Sequence, residues 1–354
     1  MLRALCVLGG VALYLVVALG LTGASTGSHS YATSKYALEL DGVQVGMLKS
    51  CEGGDCYADV ITERSGAGGA RHKHIGPAKY APITMELTPG MTQVVHKWIA
   101  DAVAGRAGRK NGAIVVMDYA GKVQKTREFT NALIQEVIFP ACDASSKDAS
   151  YITLTIQPEL VRASTQSAGS TYNASFGAKQ KVWLPSNFRL TLPGLDCTGV
   201  SKIEAIDVTI GIASRTAGAM QETAHVATGL TIPNVKVTVE EVRATSWSDW
   251  IEQFVVQGDS GPQKLKAGSI EYLQAGLGQP LWRLDLGGVG ICALRDLKAE
   301  SGDEQIRRLQ AEMYCDTIKY SVPGLGPDGT DANVPATTGG ATVRRILKPV
   351  KPKQ

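Results

Sequence analysis

The sequence carries almost no excess charge: 36 Lys and Arg stand against 33 Asp and Glu, a net +3. That is too little to hold a nucleic-acid backbone by electrostatics, so no specific nucleic-acid partner is expected. Aromatic residues make up only 6%, yet 44% of the chain is hydrophobic and 19% charged, which excludes a disordered or collagen-like chain. Long apolar runs are missing beyond Leu21, so a multi-span membrane protein is excluded. There is no phosphate loop, dinucleotide fingerprint or metalloprotease helix motif. What the chain has in quantity is glycine, 39 residues, together with frequent Thr and Val. That mixture favours short strands joined by tight turns over a helical bundle. A length of 354 residues accommodates about two domains of ordinary size.

The ends differ from the body. Arg3 precedes an apolar run from Ala4 to Leu21, followed by small residues including Thr22 and Ala24. Residues 1–24 therefore read as an export signal, or as an N-terminal anchor if residues 4–21 stay uncleaved. Either way the protein is expected to be exported or membrane-anchored, with membrane contact through this segment alone. A misassigned start codon is the third reading, and it would leave a virion-like assembly instead. Residues 323–354 are rich in Gly, Pro and Thr, end in basic residues and lack hydrophobic periodicity, so they read as a flexible tail.

Without the leader six cysteines remain, Cys51, Cys56, Cys142, Cys197, Cys292 and Cys315, an even number that suits an oxidising compartment. Cys51 and Cys56 bracket a Gly-rich turn and are a candidate disulfide, although six cysteines allow fifteen connectivities.

An internal repeat organises the body. At a shift of 152, Tyr36, Leu38, Leu40 and Gly42 fall on Phe188, Leu190, Leu192 and Gly194, an alternating strand and a glycine turn in each copy. The strand at Ile83 falls on that at Val235, and Trp98-Ile99 on Trp250-Ile251 within helix candidates of i, i+3, i+4, i+7 spacing. Ser246 and Asp249 form a candidate capping box for the second helix, and Gly258 its stop. Lys110 and Gly112 fall on Lys266 and Gly268 at a shift of 156, and a last strand from Tyr151 aligns loosely with one from Ala311. Each unit is strands, one short helix, then strands. A sheet that alternates apolar and polar residues must close as a barrel or pack as a sandwich. The expected layout is a domain at 34–162, a Ser/Thr/Gly linker at 163–182 and a divergent second domain at 183–322.

Candidate chemistry is thin. The segments around His225 and Ser260 resemble protease histidine and serine motifs, but 35 positions separate them, too few for that barrel. Cys51, Cys56, His72 and His74 match no zinc spacing. Asp143 and Asp148 read as a polar turn, and Asn173 as a glycosylation sequon of consequence only in a eukaryotic secretory pathway. No catalytic residue, metal or cofactor is expected, and the protein is not expected to be an enzyme.

The first copy resembles the contractile-phage tail tube family. The matching segments are YALELDGVQVGMLKSCEGG from Tyr36, KHIGPAKYAPITMELTPGM from Lys73, RKNGAIVVMD from Arg109, and Phe129 to Glu159. The second copy resembles the same pattern more weakly. The resemblance implies a β-sandwich or barrel with one helix that packs into hexameric rings, which stack into a tube. It also implies that the segment holding the loop Gly66 to Lys79 is an extended hairpin that reaches neighbouring subunits or the next ring. Arg71, Lys73, His74, Ile75, Lys79 and Tyr80 are then the candidate contact residues. Three chains of two domains each would supply a six-domain ring. Partners are expected to be the chain itself and sheath or baseplate-like proteins of a contractile injection or surface assembly. The alternative is a secreted or anchored binding module that has lost polymerisation.

Overall fold

Asp41 and Gly42 take φ of 49° and 81°, the geometry of a two-residue hairpin, so β1 (Lys35–Leu40) folds straight back into β2 (Val43–Gly53). A computed structural model describes residues 35–65, 70–174, 183–217, 222–297 and 307–323. The first repeat continues with β3 (Cys56–Ser65), β4 (Ala70–Tyr80), β5 (Ile83–Leu87) and helix α1 (Gln93–Val103). It ends with β6 (Lys110–Met117), β7 (Val123–Phe139), β8 (Cys142–Asp143), β9 (Ile152–Gln157) and β10 (Leu160–Ser164). The second repeat opens with β11 (Phe188–Thr191), β12 (Val200–Ile203), β13 (Ile206–Ala217), β14 (Glu222–Thr231) and β15 (Val235–Glu240). Helix α2 (Thr245–Ile251) follows, then β16 (Lys266–Leu273), β17 (Pro280–Asp296), β18 (Arg308–Tyr314) and β19 (Thr317–Ser321).

In the first repeat six strands close a barrel, in the order β2-β1-β6-β7-β9-β5 and back to β2. Leu38, Leu40, Ile83, Met85, Leu154 and Ile156 point inward and are fully buried, the alternation predicted from sequence. The expected mainly β fold, one short helix per repeat, is thus realised as barrels. The second repeat has the order β11-β16-β17-β18-β15-β12, but β11 and β12 do not pair. A longer connection from Leu192 to Gly199 replaces the tight Asp-Gly turn, and the open edge of β12 is taken by β8 of the first repeat, Ile203 opposite Cys142.

The ladders match residue by residue. Leu48 pairs Leu87 as Val200 pairs Val239; Ile83 pairs Ile156 as Val235 pairs Met313; Leu133 pairs Gln157 as Gly290 pairs Tyr314. The last strand is where the sequence alignment slips. Leu154, not Tyr151, is the counterpart of Ala311, since they stand opposite the equivalent residues Met85 and Val237. Side-chain period 2 tolerates no odd slip, and the three-residue error would have turned the strand's core face outward.

Gly112 and Gly268 show why both copies keep glycine there. A Cβ on Gly112 would lie 2.3 Å from the Glu39 carbonyl and 2.5 Å from the Phe129 ring; on Gly268 it would meet Leu192 at 2.5 Å and the Thr191 carbonyl at 2.6 Å. We expect G112A to lower the urea midpoint by an amount worth about 1–3 kcal/mol. G108A, whose Cβ meets nothing within 4 Å, should leave it almost unchanged.

The helices bury most of their predicted apolar faces, with Val255 of the second, expected on that face, exposed instead. Val95, Trp98, Ile99, Ala102 and Val103 of α1 are buried, as are Trp247, Trp250 and Phe254 of the second helix. No side chain caps α2. Ser246 Oγ instead accepts the Asp196 N–H at 2.9 Å, so the expected Ser246–Asp249 box does not form. A π-helical turn, Glu252–Val256, extends α2 until Gly258, with φ 74°, ends it.

The repeats share one compact unit, and one continuous hydrophobic cluster runs through both. Part of the linker segment is built into the first barrel. Ala163 and Ser164 lie in β10, and Tyr172 covers the outer face of β1 and β6, its hydroxyl 3.0 Å from Glu39. Among the described residues no helix is long and apolar enough to cross a membrane. The leader at 1–24, residues 175–182 of the linker and nearly all of the tail at 323–354 lie outside the described residues.

Candidate subunit interface

Strands β3 and β4 form a two-stranded sheet of their own, standing away from the barrel. Four of the six contact residues predicted from sequence, Arg71, Lys73, His74 and Ile75, are exposed on β4, while Lys79 and Tyr80 at its base are partly covered. The tip, residues 66–69, lies outside the described residues. Apolar side chains face solvent along this hairpin: Val60 is 64% and Ile75 75% exposed, and the two pair across it. Lys79 pairs with Asp59, which raises the ammonium's pKa, and burial raises that of the Tyr80 phenol. His74 Nε2 lies 4.0 Å from Glu63.

Cys51 and Cys56 are separate thiols in the structure. Cys51 pairs with Met85 on β5, and Cys56 with Tyr80 on β4, so the chain between them turns from the barrel into the hairpin. Burial pushes the Cys51 thiol up to about 11, which leaves it unreactive at neutral pH.

The counterpart hairpin, β13 and β14, shows what such a hairpin does. Its base pairs in main-chain register with the first barrel: Ile206 with Phe139, Asp207 with Ile138, Val208 with Val137 and Thr209 with Glu136. Ile206, Val208 and Ile210 are buried as a result. Further out, the His225 N–H donates to Glu159 at 2.9 Å, and the Arg109 guanidinium donates to the His225 carbonyl. Arg109 and Glu159 lie 3.6 Å apart, and Asn131 Nδ2 donates to the other Glu159 oxygen at 2.7 Å. The His225 ring sits 3.1 Å from Ser214 Oγ, and burial lowers its pKa. Glu159, Ser214 and His225 line a cleft of about 400 Å³, with Tyr57, Lys79, Tyr80 and Gln157 also on the first repeat's side. Removing Glu159 leaves a buried N–H unpaired. E159A should therefore destabilise by about 1–3 kcal/mol, with faster amide exchange confined to β13 and β14.

A second joint was not legible from sequence. Helix α1 of the first repeat packs on β19 of the second, where His96 Nδ1 lies 2.7 Å from the Tyr320 hydroxyl and Phe139 stacks on Tyr320 at 5.4 Å. His96 belongs to no motif in the sequence. Only its neighbour 224 positions away gives it a role.

Residues 32–162, the first repeat, match the family model described as T4-like virus tail tube protein gp19. Among curated proteins none matches. Solved structures with similarity include a chain of the sheath-tube complex of an extracellular contractile injection system, PVC, in its extended state. It is 22% identical, covers 39% of this chain and 94% of that one, and has a TM-score of 0.34. A chain of the anti-feeding prophage tube terminating cap is 24% identical over 38% of this chain and 89% of that one, TM-score 0.32. Hcp1 from Flavobacterium johnsoniae is 13% identical over 38% and 94%, TM-score 0.24.

Proposed function

We propose that this chain is a non-enzymatic structural protein that self-assembles into a ring, three two-domain chains supplying six tail-tube-like domains, and that rings stack as a tube. The observation that carries the reading is the side-by-side joint inside the chain, in which the hairpin of one repeat extends the sheet of the other. A joint that links non-identical faces can be repeated around an axis until it closes. Sheath- or baseplate-like proteins of a contractile injection or exported surface assembly are the further partners in this reading. The test is mass-calibrated chromatography with negative-stain microscopy on residues 25–354. Rings of sixfold appearance with a mass in multiples of three chains are expected. A monomer at every concentration would turn the reading to a secreted or anchored binding module.

A further inference from the structure

The chain contains two copies of each half of its internal joint and uses only one of each. The occupied acceptor is the far end of β7, Glu136–Phe139. Its counterpart follows from the ladders, because Thr130 opposite Leu160 matches Gly287 opposite Thr317, a displacement of 157 in both strands. The unused acceptor is therefore Ala293–Asp296 at the far end of β17. On one side these residues pair with β18, from Ala293 opposite Glu312 to Asp296 opposite Leu309; among the described residues no strand lies on the other. The occupied donor is Ile206–Thr209 of β13. Thr209 opposite Thr231 matches Tyr57 opposite Lys79, a displacement of 152, so the unused donor is Asp55 with Cys56 and Tyr57 at the start of β3; Gly54, the counterpart of Ile206, is buried with φ 78° and takes no part. That strand pairs with β4 alone.

We propose that Ala293–Arg295 of one chain pairs, antiparallel, with Asp55–Tyr57 of a second copy of this chain, repeating the core of the internal joint between chains. The register places Cys56 of the second copy opposite Leu294 and Asp55 opposite Arg295. The inference rests on the assembly reading above and names the surfaces that close the ring. Charge supports the pairing. Asp55 and Arg295 are both exposed and of opposite sign; Arg295 also holds Glu312 at 2.6 Å, with 58% of its side chain exposed. Glu159, which binds the main chain of His225 inside the chain, has Asp316 as its counterpart, and His225 has Lys73. Both are exposed. The closing joint thus sets the Lys73 ammonium of one copy near the Asp316 carboxylate of the next, where the internal joint has a carboxylate on a backbone amide. An exposed strand edge with a matching free strand on the same molecule is a template for such pairing.

The test is a register-specific crosslink in the assembled protein, with Cys292 replaced by serine. L294C should form a disulfide with the native Cys56 of the next copy under mild oxidation, giving two- and three-chain bands on a non-reducing gel. C56S should abolish them, and R295C, whose side chain points to the other face, should not give them. A second check is charge reversal: R295D, shown to stay folded by its circular dichroism and urea midpoint, should weaken association about tenfold or more by placing like charges together, and adding D55R should restore it. Assembly of normal mass with neither the L294C crosslink nor the rescue by D55R would overturn this joint while leaving the assembly reading intact. A folded monomer would overturn both.

Discussion

Replacing Trp183 with alanine is expected to destabilise the protein by about 3–5 kcal/mol, enough to remove most of the margin of an ordinary domain. Trp183 is fully buried. Its ring packs against Tyr272 at 5.1 Å and Trp282 at 5.7 Å, and its Nε1 donates to the Asn187 carbonyl at 3.0 Å. The cluster ties the repeats together. The Tyr272 hydroxyl reaches the Pro140 carbonyl of the first repeat at 3.4 Å, and Ser150 bridges to Trp183 through the main chain. Alanine leaves a cavity that the surrounding packed side chains cannot fill, while the Asn187 carbonyl keeps the Leu273 N–H at 2.8 Å. Denaturant unfolding followed by tryptophan fluorescence measures this, the remaining tryptophans serving as reporters. A loss below about 1 kcal/mol would mean that the junction repacks and the two repeats are held elsewhere.

Acid should weaken the second joint. Burial pulls the His96 imidazole down to about 4, from an ordinary value near 6.5, because no carboxylate offsets the cost of a charge beneath α1. The unfolded chain then binds a proton that the folded chain refuses. Stability is complete above the ordinary value, falls as pH drops through 6.5, and levels off below about 4, a total loss on the order of 3 kcal/mol. His225, lowered by burial as well, acts in the same direction. H96Q, which cannot charge but still offers the Tyr320 hydroxyl a partner, should show a much shallower pH profile between 4 and 6.5, not a flat one. Urea midpoints at half-unit pH steps would measure it, and a profile of unchanged slope in H96Q would assign the acid sensitivity to another group.

Much of this fold was written in local pattern. Alternation at Tyr36, Ile83 and Val235, the helix faces around Trp98 and Trp250, and the paired glycines Gly112 and Gly268 were all legible, because each depends on a period or a turn that one copy shows and the other repeats. The loose end was the strand after β17. The described chain breaks off at Leu297 and resumes at Arg307, an insertion that blurs the alignment, and only the ladder of β18 on β15 fixed Ala311 against Leu154. The contact hairpin was placed from family resemblance, and Ile75 and Lys73 are exposed on β4. The working partners of the equivalent hairpin, Glu159, Arg109 and Glu136, were invisible beforehand: each lies far from β13 or β14 in sequence and carries no motif.

By itself, then, the sequence determined the duplication and the strand and helix order of each copy, since periodicity and turn chemistry are local properties of the chain. Only the tertiary structure decided that the first barrel closes and the second opens to admit β8. It alone seated one hairpin on the neighbouring barrel and left its twin free. It also buried His96 against Tyr320. These outcomes turn on which unpaired main-chain edges and apolar faces meet across more than a hundred residues, and no window of sequence contains both sides of such a contact.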